Sequence, residues 1–188
     1  MNRKIKNKGF TLIETLVAIS ILSLSIAATF TAVQNGIRSS TYAKDQITAF
    51  YLAQEGMEFI RNVRDENALH AINGTPTDWL AGLATLSTDP CFFGNTCRID
   101  SFKGIHNPGG VVRCAGVDPQ DTCLKLNQNS VSGLYGYTSG ANWVTTNFRR
   151  SVIFSPFSAD EVRVTIIIEW TTKGTDKSFT VTESLFNH

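Results

Sequence analysis

The chain opens on a long apolar run, passes into a helical stripe and ends in alternating apolar and polar positions. From Phe10 to Val33 it reads FTLIETLVAISILSLSIAATFTAV, and no formal charge lies between Glu14 and Arg38. A helix needs about 20 apolar residues to cross a bilayer core, so residues 10–33 predict a membrane-spanning segment. No proline occurs from Thr41 to Asn67, and Ile47, Phe50, Ala53, Met57, Ile60 and Val63 recur at three- and four-residue steps. That stripe predicts one buried face of an amphipathic helix. A single helix over residues 10–67 would be about 87 Å long. Glu58 with Arg61, and Arg61 with Asp65, sit at spacings suited to weak surface pairs. Gly36 and Gly56 are the points where such a helix is expected to loosen.

Beyond Asn67 the pattern changes. Asn73-Gly74-Thr75-Pro76 is a turn signal that ends the helical register. Trp79–Leu86 predicts a small helix or loop, and Ser87–Asn147 reads as loops with short hairpins. Val162, Val164, Ile166, Ile168 and Trp170 then alternate with Arg163, Thr165, Ile167 and Glu169, the period of a half-buried strand. Lys173-Gly174 supplies a turn, Phe179, Val181 and Leu185 continue as the next strand, and Ser151–Ser155 adds another. The expected class is α+β: a long N-terminal helix whose C-terminal half packs on an antiparallel sheet in a head spanning residues 68–188.

Charge refines this picture at one end. The chain has 188 residues, 42% of them hydrophobic, enough for one compact domain plus an accessory element. A net charge of +1 argues against a broad nucleic-acid-binding surface, and Arg149-Arg150 is too small a basic patch to change that. Four of the 17 cations, Arg3, Lys4, Lys6 and Lys8, fall within the first nine residues, where there is no acid. Cations ahead of an apolar segment predict a cytoplasmic N-terminus, with everything after Arg38 outside the cytoplasm. An ordinary secretory signal would instead be cut after a shorter apolar region, at a small-residue site such as Ala27-Ala28.

Glu14 does not fit an ordinary signal. An acid within a membrane segment costs about 3 kcal/mol and marks a partner or a function. Around it, Lys8-Gly9-Phe10-Thr11-Leu12-Ile13-Glu14 resembles the recognition motif of type IV prepilins and of the pseudopilins of type II secretion. In that family an inner-membrane aspartyl peptidase cuts after the glycine and methylates the new amine. The resemblance implies that leader 1–9 is recognised through Lys6, Lys8 and Gly9 and removed by a cut between Gly9 and Phe10. It implies N-methylation of Phe10 and retention of residues 10–33 as membrane anchor and filament core. It also implies a pilin-like fold, and pairing of Glu14 with the Phe10 amine of a neighbouring subunit during assembly. Tyr51-Leu52-Ala53-Gln54-Glu55-Gly56-Met57-Glu58, followed by Arg61, is similar to the helix of PilV-type minor pilins.

The function implied is a non-enzymatic structural subunit, a minor or accessory pilin, without a cofactor. Its partners would be the prepilin peptidase, other pilin subunits, the pilus assembly platform and the inner membrane. It would sit first in that membrane and later in an extracellular filament. A type II secretion pseudopilin shares every one of these features. A membrane-anchored adhesin that never polymerises would keep the anchor but tolerate loss of Glu14.

The four cysteines, Cys91, Cys97, Cys114 and Cys123, all fall in the head. Their spacings match no usual zinc pattern, and the oxidising space outside the inner membrane favours disulfides. Of three connectivities, the local one is favoured: Cys91–Cys97 across Gly94-Asn95, and Cys114–Cys123. His70, His106 and His188 stand in no catalytic motif. Asp100, Asp118 and Asp121 are candidate calcium ligands without the spacing of a known loop. Phe92, Phe93, Tyr135, Tyr137 and Trp143 are candidates for an adhesive tip.

Overall fold

A computed structural model describes residues 9–114, 122–172 and 174–187. Among these residues helix α1 (Leu12–Ile72) precedes seven strands: β1 (Thr96–Ile99), β2 (Val111–Arg113), β3 (Lys125–Asn129), β4 (Tyr135–Gly136), β5 (Trp143–Pro156), β6 (Glu161–Thr172) and β7 (Thr175–Phe186). The architecture is α+β and pilin-like, with antiparallel strands throughout. The chain divides after Lys44 into two compact units.

In the first unit every described side chain, from Gly9 to Lys44, is exposed. The apolar residues ring the helix instead of facing one side, as expected where the surroundings are themselves apolar. Hydroxyls are costly in such surroundings, and the helix satisfies them with its own carbonyls. Thr15 donates to Leu12, Ser20 to Leu16, Ser25 to Ile21, Thr29 to Ile26 and Thr31 to Ala27, at 2.8 to 2.9 Å. Among the described residues, α1 is the helix long and apolar enough to cross a membrane.

In the second unit the rest of α1 packs on the sheet through Ala49, Leu52, Ala53, Gly56, Met57, Ile60, Val63 and Asn67. The predicted stripe is therefore right from Ala53 onward and wrong at its start, since Ile47 and Phe50 are exposed. The reason is close approach. A Cβ on Gly56 would lie 3.0 Å from Ile166 Cδ1, so the contact face takes small residues and the bulky ones are turned aside. Phe50 instead packs edge-on against Phe179, with ring centroids 6.0 Å apart. Gly56 is thus a packing position and not a point of loosening.

The helix continues past Asn67 to Ile72. Asn67 is buried, and its side-chain amide donates to the carbonyls of Trp79 and Ala81, both at 3.2 Å. A polar residue that looked like an exit is therefore an anchor for the following loop. Gly74, at φ 85°, closes the helix. Its N–H reaches the Ala71 carbonyl and that of Thr75 reaches His70, a Schellman-type end.

Strand β5 is the spine of the sheet. One edge pairs with β6 from Arg149 to Pro156, and β6 pairs with β7 along its whole length. The other edge carries β3 against the first half of β5 and β1 against the second. Hairpins β1–β2 and β3–β4 are the short hairpins expected among the loops of Ser87–Asn147. The alternation predicted for β6 holds: Val162, Val164, Ile166, Ile168 and Trp170 are all buried. The strand expected at Ser151–Ser155 is longer, because β5 begins at Trp143 among polar residues that periodicity does not flag.

Candidate functional site

The residues of the candidate processing site lie at the start of α1. Gly9, Phe10 and Thr11 precede the helix and are exposed, while Lys6 and Lys8 lie outside the described residues. The Thr11 carbonyl accepts hydrogen bonds from the N–H groups of Glu14 (3.1 Å) and Thr15 (3.2 Å). Its Oγ1 accepts from the Glu14 N–H at 3.4 Å. Thr11 is therefore the N-cap, and Glu14 is the third helical residue, where a negative charge faces the positive end of the helix dipole. Among the described residues no cation lies in ion-pair contact with the Glu14 carboxylate. The capping role of Thr11 was legible as Thr-x-x-Glu ahead of an apolar run, although the motif had drawn attention only to its glycine, phenylalanine and acid.

In the head, polar side chains serve the packing. Arg150 is fully buried and donates to the carbonyls of Leu52 (3.0 Å) and Ile99 (2.7 Å), so Arg149-Arg150 is not a surface basic patch. Asp100 is also fully buried, and its carboxylate accepts from the N–H groups of Phe102 (3.2 Å) and Tyr137 (3.4 Å). That use of its oxygens removes Asp100 from a calcium reading, while Asp118 and Asp121 lie outside the described residues. The described residues contain no group of three or more His, Cys, Asp or Glu able to hold a metal ion.

Arg61 forms the expected pair with Glu58, at 2.5 Å. Its second partner is Glu183 on β7, at 2.5 Å, while Asp65 pairs with Arg64. Helical spacing alone had offered Asp65 to Arg61, but the strand brought beside α1 presents a better-aligned carboxylate. Glu183 is the main cause of a raised Arg61 pKa.

The candidate aromatics do not form one exposed tip. Phe92, Phe93, Tyr135, Tyr137 and Trp143 are all half-buried, and the Tyr137 ring lies 4.6 Å beneath the Arg98 guanidinium. Burial pushes the Tyr137 hydroxyl pKa up, partly offset by Arg150 and Arg98. Phe102, unremarkable in the sequence, is exposed and meets Trp143 edge-on at 6.4 Å. With Glu55, Ser101, Leu134 and Tyr135 it lines a shallow hollow of about 440 Å³.

Both cysteine pairs are at bonding distance. Cys91 and Cys97 have Cα atoms 5.1 Å apart, and Cys114 and Cys123 have theirs 5.8 Å apart. The first bond is buried in the core and holds the entry to β1; the second follows β2 and precedes β3.

Comparison with known proteins bears on the N-terminal site. The family model described as the prokaryotic N-terminal methylation motif matches residues 4–30, spanning Gly9, Phe10 and Glu14. No curated protein and no solved structure matches the chain.

Proposed function

We propose, on the premise that this chain is of the type IV prepilin and pseudopilin kind, that it is a minor or accessory pilin of a type IV pilus-like filament. In this reading residues 1–9 lie on the cytoplasmic side, prepilin peptidase cuts after Gly9, and Phe10 is N-methylated. The protein has no catalytic task of its own. Its partners are the peptidase, other pilin subunits and the assembly platform.

The observation that carries the reading is the continuity of motif and helix. The methylation motif over residues 4–30 runs into a helix that begins at Leu12, with strongly apolar side chains that are exposed throughout their own unit. A helix of that kind is stable in a bilayer before assembly and among other such helices after it. Glu14 supports the polymerising form. A carboxylate at membrane depth is costly when alone, and the free amine of a neighbouring Phe10 supplies a counter-charge. Two disulfides in the head agree with an oxidising space outside the cytoplasm.

Intact-mass and N-terminal analysis of the protein, from cells with and without prepilin peptidase, tests this directly. The expected product is a methylated Phe10 N-terminus that depends on the enzyme. An intact Met1, or a cut beyond Ala27, would overturn the proposal.

A further inference from the structure

We infer that Thr11 is a positioning residue for the processing step: by capping α1 it keeps the Gly9–Phe10 peptide bond out of the helix and open to the peptidase. The inference rests on the cleavage site proposed above.

The first N–H groups of a helix have no partner within it, and in apolar surroundings each unsatisfied donor is costly. A helix without a cap therefore gains by winding further toward its N-terminus. Winding through Phe10 and Gly9 would draw the scissile Gly9 C=O and the next carbonyl, that of Phe10, into helical hydrogen bonding with the Ile13 and Glu14 N–H groups. A protease needs those groups free and the chain extended. Thr11 opposes the winding, because its carbonyl and hydroxyl together take up the N–H groups of Glu14 and Thr15.

Gly9 acts in the same sense from the other side of the bond. A Cβ placed on Gly9 would meet nothing within 4 Å, and its backbone has no left-handed φ. Nothing among the described residues therefore requires a glycine there. What glycine does provide is resistance to helix formation, at about 1 kcal/mol relative to alanine, and an unobstructed approach to the peptide. The scissile bond is thus flanked by two residues that each stop a helix, one by backbone entropy and one by capping. After the cut the same cap leaves Phe10 outside the helix, with its amine unengaged by helical bonding.

The test uses the full-length protein in membranes with prepilin peptidase, following the appearance of the shortened chain with time. Thr11→Val keeps the side-chain shape and removes the hydroxyl, and is expected to be cut about five-fold more slowly, equivalent to a cap worth about 1 kcal/mol. Thr11→Ser and Thr11→Asn keep a capping oxygen and are expected to be cut at close to the rate of the unaltered chain. Resistance to alkaline extraction, equal in all four, shows that membrane insertion is unchanged. Cleavage of Thr11→Val at the unaltered rate overturns the inference, as does slow cleavage of all three variants, which would make shape and not capping the cause. If the unaltered chain is not cut at all, the cleavage site itself is refuted, an outcome distinct from either.

Discussion

Arg150 Nη1 lies 3.0 Å from the main-chain oxygen of Leu52, so a fully buried guanidinium on β5 is bonded directly to the backbone of α1. Nη2 of the same group reaches the Ile99 oxygen at the end of β1 at 2.7 Å, and Glu55 lies 3.7 Å away. One side chain therefore holds helix, central strand and flanking hairpin together. The fit is specific to arginine, whose planar fork serves several acceptors at once.

Replacing Arg150 with methionine keeps most of the volume and ends both bonds. The Leu52 carbonyl lies mid-helix and retains its helical partner, while Glu55 is partly exposed, which limits the cost of leaving it unpaired. The expected loss is about 3 kcal/mol, read as a lower urea midpoint for the full-length protein in detergent. A midpoint equal to that of the unaltered protein would show that the buried bonds contribute nothing net.

At Gly56 the two smallest changes should part company. Alanine adds a methyl 3.0 Å from the Cδ1 end of Ile166, a flexible group able to shift, and gains helix propensity. Gly56→Ala is therefore expected to fall within about 1 kcal/mol of the unaltered protein. Gly56→Leu must also displace Ile99 and the Arg150 stem, which lie within 3.6 Å of the same point. Its expected cost is about 3 kcal/mol, measured by the same urea titration. Equal stability of the leucine variant would show that the helix does not approach the sheet closely there.

Tyr137 gives the head an alkaline weakness. Burial raises its pKa above the ordinary value of 10.0, so the folded state holds its proton where the unfolded state has released it. Between those two pKa values the unfolded chain binds fewer protons, and stability must fall as pH rises. The contribution is fully present below pH 10 and is lost above it. Tyr137→Phe keeps the ring over which Arg98 lies and gives up only a long 3.4 Å bond to the Arg150 carbonyl. Near-neutral stability at pH 7 and a shallower decline above pH 10 are expected, followed by thermal unfolding across that range. An unchanged alkaline slope would assign the decline to other groups.

Much of this protein is decided locally. Leader charge, glycine, phenylalanine and acid at fixed spacing carry the match to the N-terminal methylation motif without any fold, since a short stretch of chain defines it. The exposed apolar stem follows from composition alone, because a helix of that length needs no tertiary partner to satisfy its backbone. The β6 alternation was equally legible, one face being buried and the period strict. The turn at Asn73-Gly74 was visible because glycine's left-handed freedom is a property of one residue.

Other assignments needed the tertiary structure, for a consistent reason: each depends on which element comes to lie beside another. Arg150 reads as half of a surface basic pair until β5 places it under α1. Gly56 reads as a weak point until Ile166 closes on it, and Arg61 keeps Asp65 as a candidate partner until β7 delivers Glu183. Asn67 looked like an exit because its two carbonyl partners lie 12 and 14 residues further on. Sequence by itself determined the long apolar stem, the N-terminal methylation motif and the class of the head, all set by composition and short-range period. Tertiary structure alone decided which polar groups are buried and what they hold, because burial and partnership arise between segments that no local pattern connects.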